Sequence, residues 1–279
     1  MALLVDGVAI VTGAGSGIGK ACALSYAAEG ARGVVIADLN LTAAEQAASE
    51  SEQVAVNPAY TALPLAVDVT DASSVENIVS TAVSVFGRID YLVNSAGIGV
   101  KEHRSVEEVS AGDMERFWKV NIMGTVHCTQ AVARVMKKQS VATFQSPRGR
   151  GTAREVGRGV IVNLGSANSY MATPEVAPYV TTKHAVIGLT KNSALDLAKY
   201  QIRVNAICPG WTRTPMVEEA LNGNPNLDGM MKSVVPMKRI AFPEEIADVV
   251  VFMTSPRSSY VTGVGWIVDG GLTLQVQTC

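Results

Sequence analysis

Tyr179 and Lys183 stand four residues apart in a stretch, Tyr179 to Lys199, with helical periodicity, so both side chains fall on one helix face. Such a pair is ordinary as surface neighbours. It gains chemical meaning from Ser166, thirteen positions upstream of Tyr179 at the end of an apolar run. A phenol has a reference pKa of about 10, too high for a useful base at neutral pH. A lysine ammonium held close stabilises the phenolate and lowers that value. A tyrosine activated in this way could pass a proton to or from the oxygen of a carbinol or carbonyl group. A serine hydroxyl beside it could hold that oxygen and steady the charge that develops there. The bland alternative for Ser166 is a turn or helix cap.

A second constellation opens the chain. Thr12-Gly13-Ala14-Gly15-Ser16-Gly17-Ile18-Gly19 follows an apolar run and leads into a helical stretch through Ala21, Leu24 and Ala28. Glycines permit a tight turn and let backbone amides approach a pyrophosphate, while the helix N-terminus favours its negative charge. Asp38, with Leu39 beside it, comes about 20 residues later, the spacing at which an acidic side chain takes both hydroxyls of an adenosine ribose. An acid there repels a 2′-phosphate, which favours NAD(H), with NADP(H) as the alternative. The competing reading makes Asp38 the cap of a helix beginning near Thr42. Ser16 is neutral, and Lys20 and Arg32 are the cations that could weaken the preference.

Both constellations require a frame. Val8–Thr12, Gly33–Asp38, Leu63–Asp68, Ile89–Asn94, Val160–Leu164, Ile202–Ile207 and Trp266–Asp269 are short apolar runs separated by helical patterns. Strands continuous in Val, Ile and Leu are buried on both faces, so the alternation predicts an α/β fold: a doubly wound, seven-stranded, mostly parallel sheet with helices on each side. Ligands bind such sheets beyond the carboxyl ends of the strands, where strand order reverses. The residues just after each strand are then Asp68-Val69, Asn94-Ser95-Ala96-Gly97, Ser166 and Pro209-Gly210. Asn94 reads equally as a strand-terminating turn.

Composition narrows the function classes. The 279 residues suit one large α/β domain spanning 1–279, with no repeat and no linker dividing it. Lys and Arg total 23 against 25 Asp and Glu, a net charge of -2, which argues against nucleic acid or anionic lipid as partner. Cys22, Cys128, Cys208 and Cys279 lie far apart without metal spacing, as expected for reduced thiols of a cytoplasmic protein. No apolar run approaches the roughly 20 residues needed to cross a bilayer. No cluster of His, Asp and Glu suggests a metal; His103 could face a substrate, while His127 and His184 read as packing or surface residues. One irregularity is 139–159, far longer than an ordinary helix-to-strand connection, where Arg148, Arg150, Arg154 and Arg158 alternate with Gly149, Gly151, Gly157 and Gly159. It reads as a flexible, solvated surface insertion, and the sharper reading is a lid or a partner contact.

Taken together, Thr12–Gly19, Asp38, Asp68, Asn94–Gly97, Ser166, Tyr179-x-x-x-Lys183 and Pro209-Gly210 resemble the classical short-chain dehydrogenase/reductase family over nearly the whole chain. The departures are Ser95, where the family usually carries a second asparagine, and the Arg/Gly-rich insertion. The resemblance implies that Tyr179 is the acid/base, Lys183 its activator and Ser166 the holder of the substrate oxygen. It adds Asn121, in Lys119-Val120-Asn121-Ile122-Met123-Gly124, as the member of a tetrad that holds a water against the lysine; from the residues alone a mid-helix Asn reads as a packing irregularity. It also places the 209–214 turn at the nicotinamide, with Thr214 on its carboxamide and Thr212 supplying backbone contacts.

The segment 211–241 is expected to cover the substrate mouth, with Met230, Met231, Val234 and Met237 as apolar points that suit either an irregular ligand or helix packing. Asn168, Tyr170, Met171 and Trp211 are candidate pocket residues. The expected substrate is an apolar secondary alcohol or ketone, in keeping with similar chains of microbial and fungal secondary metabolism. Two other readings stand beside NAD(H)-linked dehydrogenation: an NADPH-dependent ketoreductase and a binding module that catalyses nothing. The Tyr179–Tyr200 helix and the last strand are the surfaces through which the resemblance implies a homotetramer or homodimer.

Overall fold

Each apolar run becomes a strand because β-branched residues pack well on a pleated surface covered on both faces. The computed structural model describes residues 5–100, 102–145, 153–223 and 226–274. Arg148, Gly149, Arg150 and Gly151, the Asn224-Pro225 break and Cys279 lie outside the described residues. The strands are β1 (Val8–Thr12), β2 (Gly33–Asp38), β3 (Thr61–Ala66), β4 (Tyr91–Asn94), β5 (Ala142–Gln145), β6 (Ala153–Gly157), β7 (Gly159–Leu164), β8 (Ile202–Pro209) and β9 (Gly265–Val268). The helices are α1 (Gly17–Ala28), α2 (Leu41–Val54), α3 (Ala72–Phe86), α4 (Ala111–Phe117), α5 (Gly124–Met136), α6 (Ala177–Ala198), α7 (Pro215–Gly223), α8 (Leu227–Val234) and α9 (Pro243–Thr254).

Seven strands form one sheet in the order β3-β2-β1-β4-β7-β8-β9, every pair parallel, as expected from the sequence. Strand order reverses between β1 and β4, so the crevice opens beyond Thr12 and Asn94. Side chains alternate between two cores. Ala9, Val11, Val34 and Ile36 pack with Cys22 and Tyr26 of α1 and Val250 and Val251 of α9, while Ile10, Val35 and Ala37 pack with Ile78 of α3, Val132 of α5 and Leu197 of α6. The two layers of helices hold the strand ends rigidly, which is what a site built from several strand ends requires.

Two expectations are corrected. The third strand is Thr61–Ala66, two residues before Leu63–Asp68, because Thr61 to Ala66 pair in register with Gly33 to Asp38. It is an edge strand, half exposed and tolerant of Pro64, so its burial pattern is too weak to set its bounds. The insertion is not irregular where it is described: β5 and β6 pair as antiparallel strands, with most of their residues exposed. Its stem is strapped to the amino ends of β7 and β8. Arg158 donates to Gln139 O (2.8 Å) and Tyr200 O (3.1 Å), Gln201 Nε2 donates to Glu155 (2.7 Å), and Arg154 lies over the Phe144 ring and donates to Pro256 O (2.8 Å).

Candidate active site

The glycine-rich turn is pressed into the switch point. Gly13 has φ +65°, and a Cβ there would stand 2.8 Å from both the N and Cα of Ala96, so only glycine lets the turn after β1 lie against the turn after β4. Ala96 N also donates to Thr12 Oγ1 (3.3 Å). Gly17, with φ +54°, leads into α1 against the side chain of Thr214, which draws the 209–214 turn to the same place. Ser16 is the N-cap of α1, yet its hydroxyl makes no capping bond, and the first turn carries no acid. The first N–H groups of α1 therefore remain open to an anion. Ile18 packs partly against the core, and Gly19 leaves no room for a Cβ beside Gly13 O.

Asp38 closes the other side of that turn. Its Oδ2 accepts from Gly15 N (2.8 Å) and its Oδ1 from Asn40 N (2.9 Å). The capping reading fails, because Asn40 caps α2 by accepting from Ala43 N (3.2 Å). Lys20 is drawn away to Glu50 (2.7 Å), and Arg32 reaches Phe86 O (3.2 Å) at the far end of β2. Neither cation pairs with Asp38 among the described residues. Leu39, beside it, is 77% exposed.

The turn after β3 holds Asp68, whose carboxylate accepts from the N–H and hydroxyl of Thr70, and Val69, buried against Gly124. His127 supports this turn through Nδ1 against Val69 O (3.0 Å). His184 likewise meets the backbone, at Val180 O, and His103 is exposed. Asn94 is 4% exposed, and its amide donates to Asn163 Oδ1 (2.8 Å) and Thr129 Oγ1 (3.2 Å), while Asn163 donates to Thr190 Oγ1 (2.9 Å). The Asn94 amide nitrogen thus ties β4 to β7 and α5, while its Oδ1 is buried with no partner among the described residues. Gly97 and Ile98 lie against Asn121.

Asn121 sits in a π-helical turn, Trp118–Met123, between α4 and α5. Its Oδ1 accepts from Ile98 N (2.8 Å), and its Nδ2 donates to Ile98 O (3.2 Å) and Thr182 Oγ1 (3.2 Å). The side chain is thereby engaged with the 97–98 loop and α6. Its backbone carbonyl accepts from Thr125 Oγ1 (2.9 Å).

On α6, Lys183 is 8% exposed, donates to Leu164 O (2.8 Å) at the end of β7, and lies 5.5 Å from the centroid of the Tyr179 ring. No acidic side chain pairs with it among the described residues. Ser166 follows β7 and is 9% exposed. It is the cap expected of the bland reading, since its Oγ accepts from Asn168 N (3.1 Å), but that bond uses a lone pair and leaves the hydroxyl proton free to donate. Asn168 accepts from Thr173 Oγ1 (2.9 Å); Tyr170 is turned to β9, donating to Gly265 O (3.1 Å).

Pro209 ends β8, and Gly210, whose N donates to Val268 O (3.0 Å), packs against Asp269. Trp211 and Thr212 bridge to Ala241. In the covering segment, Met231 is buried while Met230 and Met237 are exposed, and Met216 seats on Gly99, which has no space for a Cβ. Burial pushes the Cys128 thiol up to about 12 and raises Cys208 as well, so neither is poised as a nucleophile. No metal-type group of His, Cys, Asp and Glu occurs among the described residues, and none of their helices is long and apolar enough to span a membrane.

The residues that sequence reasoning missed are Ser169, Thr182 and Asn163, all buried and all bonded to candidate site residues or their strands. Small polar residues flanking a candidate motif were the available signal.

A family model described as enoyl-(acyl carrier protein) reductase matches residues 13–273. The protein named short-chain dehydrogenase anuF, from Penicillium roqueforti, is 67% identical over 100% of both chains. An A-factor type γ-butyrolactone 1′-reductase (1S-forming) of Streptomyces virginiae is 35% identical over 98% of this chain and 97% of its own. The crystal structure of a short-chain type dehydrogenase/reductase from Mycobacterium marinum superimposes with a TM-score of 0.85 at 31% identity, covering 98% of this chain and 97% of that one.

Proposed function

Since the chain belongs to the short-chain dehydrogenase/reductase family of oxidoreductases acting on CH–OH groups, we propose that it interconverts an apolar secondary alcohol and its ketone, with Tyr179 as acid/base and NAD(H) preferred over NADP(H). The observation that carries this reading is the buried Lys183 ammonium, without an acidic partner among the described residues, beside the Tyr179 ring.

The glycine turn fits a dinucleotide, because a Cβ at Gly13 would fill the cradle against Ala96 and the α1 N-terminus is uncapped. Backbone of Gly13, Gly15, Ser16, Gly17, Ile18 and Gly19 would hold the pyrophosphate, and Asp38 the adenosine ribose. Asp68 and Val69 would flank the adenine, with Asn94, Ala96 and Gly97 lending backbone. Pro209, Gly210, Thr212 and Thr214 would meet the nicotinamide. A bound nicotinamide supplies or accepts the hydride. Ser166 donates its free proton to the substrate oxygen and fixes it near Tyr179. In reduction, Tyr179 O–H gives its proton to that oxygen as the carbonyl becomes an alcohol; in oxidation the phenolate takes it back. Lys183 favours the phenolate by charge, and Asn121 supports the 97–98 loop and α6. Asn168 and Trp211 would line the substrate side.

The γ-butyrolactone reductase among the relatives supports a carbonyl substrate, and we assign the chain to secondary metabolism in the cytoplasm. We further propose one domain over 1–279, assembled as a homotetramer or homodimer. Leu195 on α6 (78% exposed) and Trp266 on β9 (43% exposed) are apolar points suited to such contacts.

Titration with NADH and NADPH by reduced-nicotinamide fluorescence tests the cofactor, and NADH oxidation at 340 nm with cyclohexanone, 2-decalone, 1-tetralone and crotonyl thioester tests the chemistry. Tighter NADH binding and ketone reduction support the proposal. NADPH preference favours the ketoreductase alternative, reduction of the crotonyl double bond alone favours the family model's enoyl activity, and binding without turnover favours a non-catalytic module.

A further inference from the structure

Ser166 and Tyr179 belong to different elements, a turn after β7 and the first turns of α6, and something must fix one against the other. Among the described residues, one side chain bonds to the backbone of both segments. Ser169, 4% exposed, accepts from Ser166 N (3.2 Å) and donates from the same oxygen to Lys183 O (2.6 Å). Its hydroxyl is a single-atom brace between the turn that carries Ser166 and the helix that carries Tyr179 and Lys183.

The brace is seated from behind. Cys208 on β8 is fully buried, and its sulfur is approached by the Ser166 N–H and the Ser169 hydroxyl. A Cβ at Gly165 would stand 2.6 Å from Cys208 Sγ and 3.0 Å from Ser169 Oγ, so the turn lies flat on β8 with no slack. Gly165 N donates to Ile207 O (2.8 Å), fixing the start of the turn to the same strand. Asn168 N then sets the Ser166 hydroxyl from the other side (3.1 Å).

We propose that Ser169 is a positioning residue for the reaction: its hydroxyl, bonded to Ser166 N and Lys183 O, sets the distance between the Ser166 hydroxyl and the Tyr179 phenol. The proposal rests on the assignment of Ser166 to the substrate oxygen. Ser169 touches no reacting atom and acts only through Ser166. Without it the Ser166 N–H loses its Ser169 acceptor, and the turn gains freedom at the point where misplacement by about 1 Å costs a large factor in rate.

The test is a double-mutant cycle in the full-length protein, with the faster of 2-decalone and 1-tetralone as ketone and active sites counted by NADH titration. Ser169→Ala is expected to lower kcat/KM about tenfold, chiefly in kcat, with the dissociation constant for NADH and the thermal midpoint little changed. Ser169→Gly, which also removes the hydroxyl and cannot crowd the turn, is expected to behave likewise. In a Ser166→Ala background, Ser169→Ala is expected to cost less than about twofold, since its route of action is already gone. Equal losses in both backgrounds, or no loss in either Ser169 variant, would overturn the brace while leaving the Ser166 assignment standing. An unchanged kcat/KM in Ser166→Ala would overturn that assignment and the brace with it.

Discussion

Replacing Asp38 by Ser separates the two nicotinamide cofactors by a margin that follows from the site. The Asp38 carboxylate already orients the glycine turn through Gly15 N (2.8 Å) and is itself oriented by Asn40 N (2.9 Å), so its position is set before any ligand arrives. A ribose bound there would donate charge-assisted hydrogen bonds, each contributing about 1.5–3 kcal/mol. Loss of one such bond weakens NADH binding by roughly 10- to 100-fold, at 1.4 kcal/mol per tenfold. NADPH moves the other way, because the carboxylate that repels its 2′-phosphate is gone. The gain should be about tenfold or less, since Lys20, the cation nearest in sequence to the glycine turn, is held by Glu50 at 2.7 Å and Ser16 is neutral. Fluorescence titration of wild type and Asp38→Ser with both cofactors at fixed ionic strength gives the ratio of affinities. A ratio unchanged by the substitution refutes the ribose assignment, and equal weakening of both cofactors would mean that Asp38 serves only to order the Gly15 turn.

Two further outcomes follow from the fold. Replacing residues 142–156, which include β5 and most of β6, by a short Gly-Ser turn should leave ketone reduction within about twofold, because β6 joins β7 at its amino end and the six residues of β7, at about 3.3 Å each, lie between that end and the turn carrying Ser166; a tenfold loss in steady-state rate would support the lid reading. Glu245 braces the start of α9 by accepting from Phe242 N (2.9 Å) and both nitrogens of Arg239 (2.6 Å each), and the Arg239 guanidinium above all holds its carboxyl at about 2. A carboxyl depressed on folding stabilises above its unfolded value and loses that stabilisation as pH falls towards the folded one. Glu245→Gln should therefore cost about 0.5 kcal/mol at pH 7, discounted for a half-exposed pair, with the difference from wild type shrinking between pH 5 and 3 in urea unfolding; a difference constant across that range would count against the pair.

The frame was legible because both-face burial leaves a strong mark: runs such as Val8–Thr12 and Ile202–Ile207 are continuous in apolar residues, and their parallel pairing follows. The edge strand was misplaced by two residues because Thr61–Ala66 is half exposed and Asp68, read as its end, belongs to the next turn. The β5–β6 pair escaped notice because Ala142–Gln145 and Ala153–Gly157 are short and polar, and their order derives from contacts to Tyr200, Gln201 and Pro256, distant in sequence. Spacing singled out Tyr179, Lys183, Asp38 and the glycine turn as candidates, because they are local patterns. It was silent on what Asn94 and Asn121 do with their amides, since their partners Asn163 and Thr182 lie 69 and 61 residues away. Ser169 shows the same limit at short range. A serine three residues after Ser166 is unremarkable until α6 folds back and brings Lys183 O to its hydroxyl.

The central claim is that the Tyr179 phenol carries the proton. Tyr179→Phe removes one oxygen from α6 and leaves the Lys183 bond to Leu164 O and the glycine turn untouched. Steady-state NADH oxidation with the preferred ketone, alongside NADH titration of the same preparation, measures chemistry and binding separately. The account predicts a rate lower by about 10³-fold or more with NADH affinity within threefold of wild type. A variant that keeps its rate while binding NADH normally would contradict it.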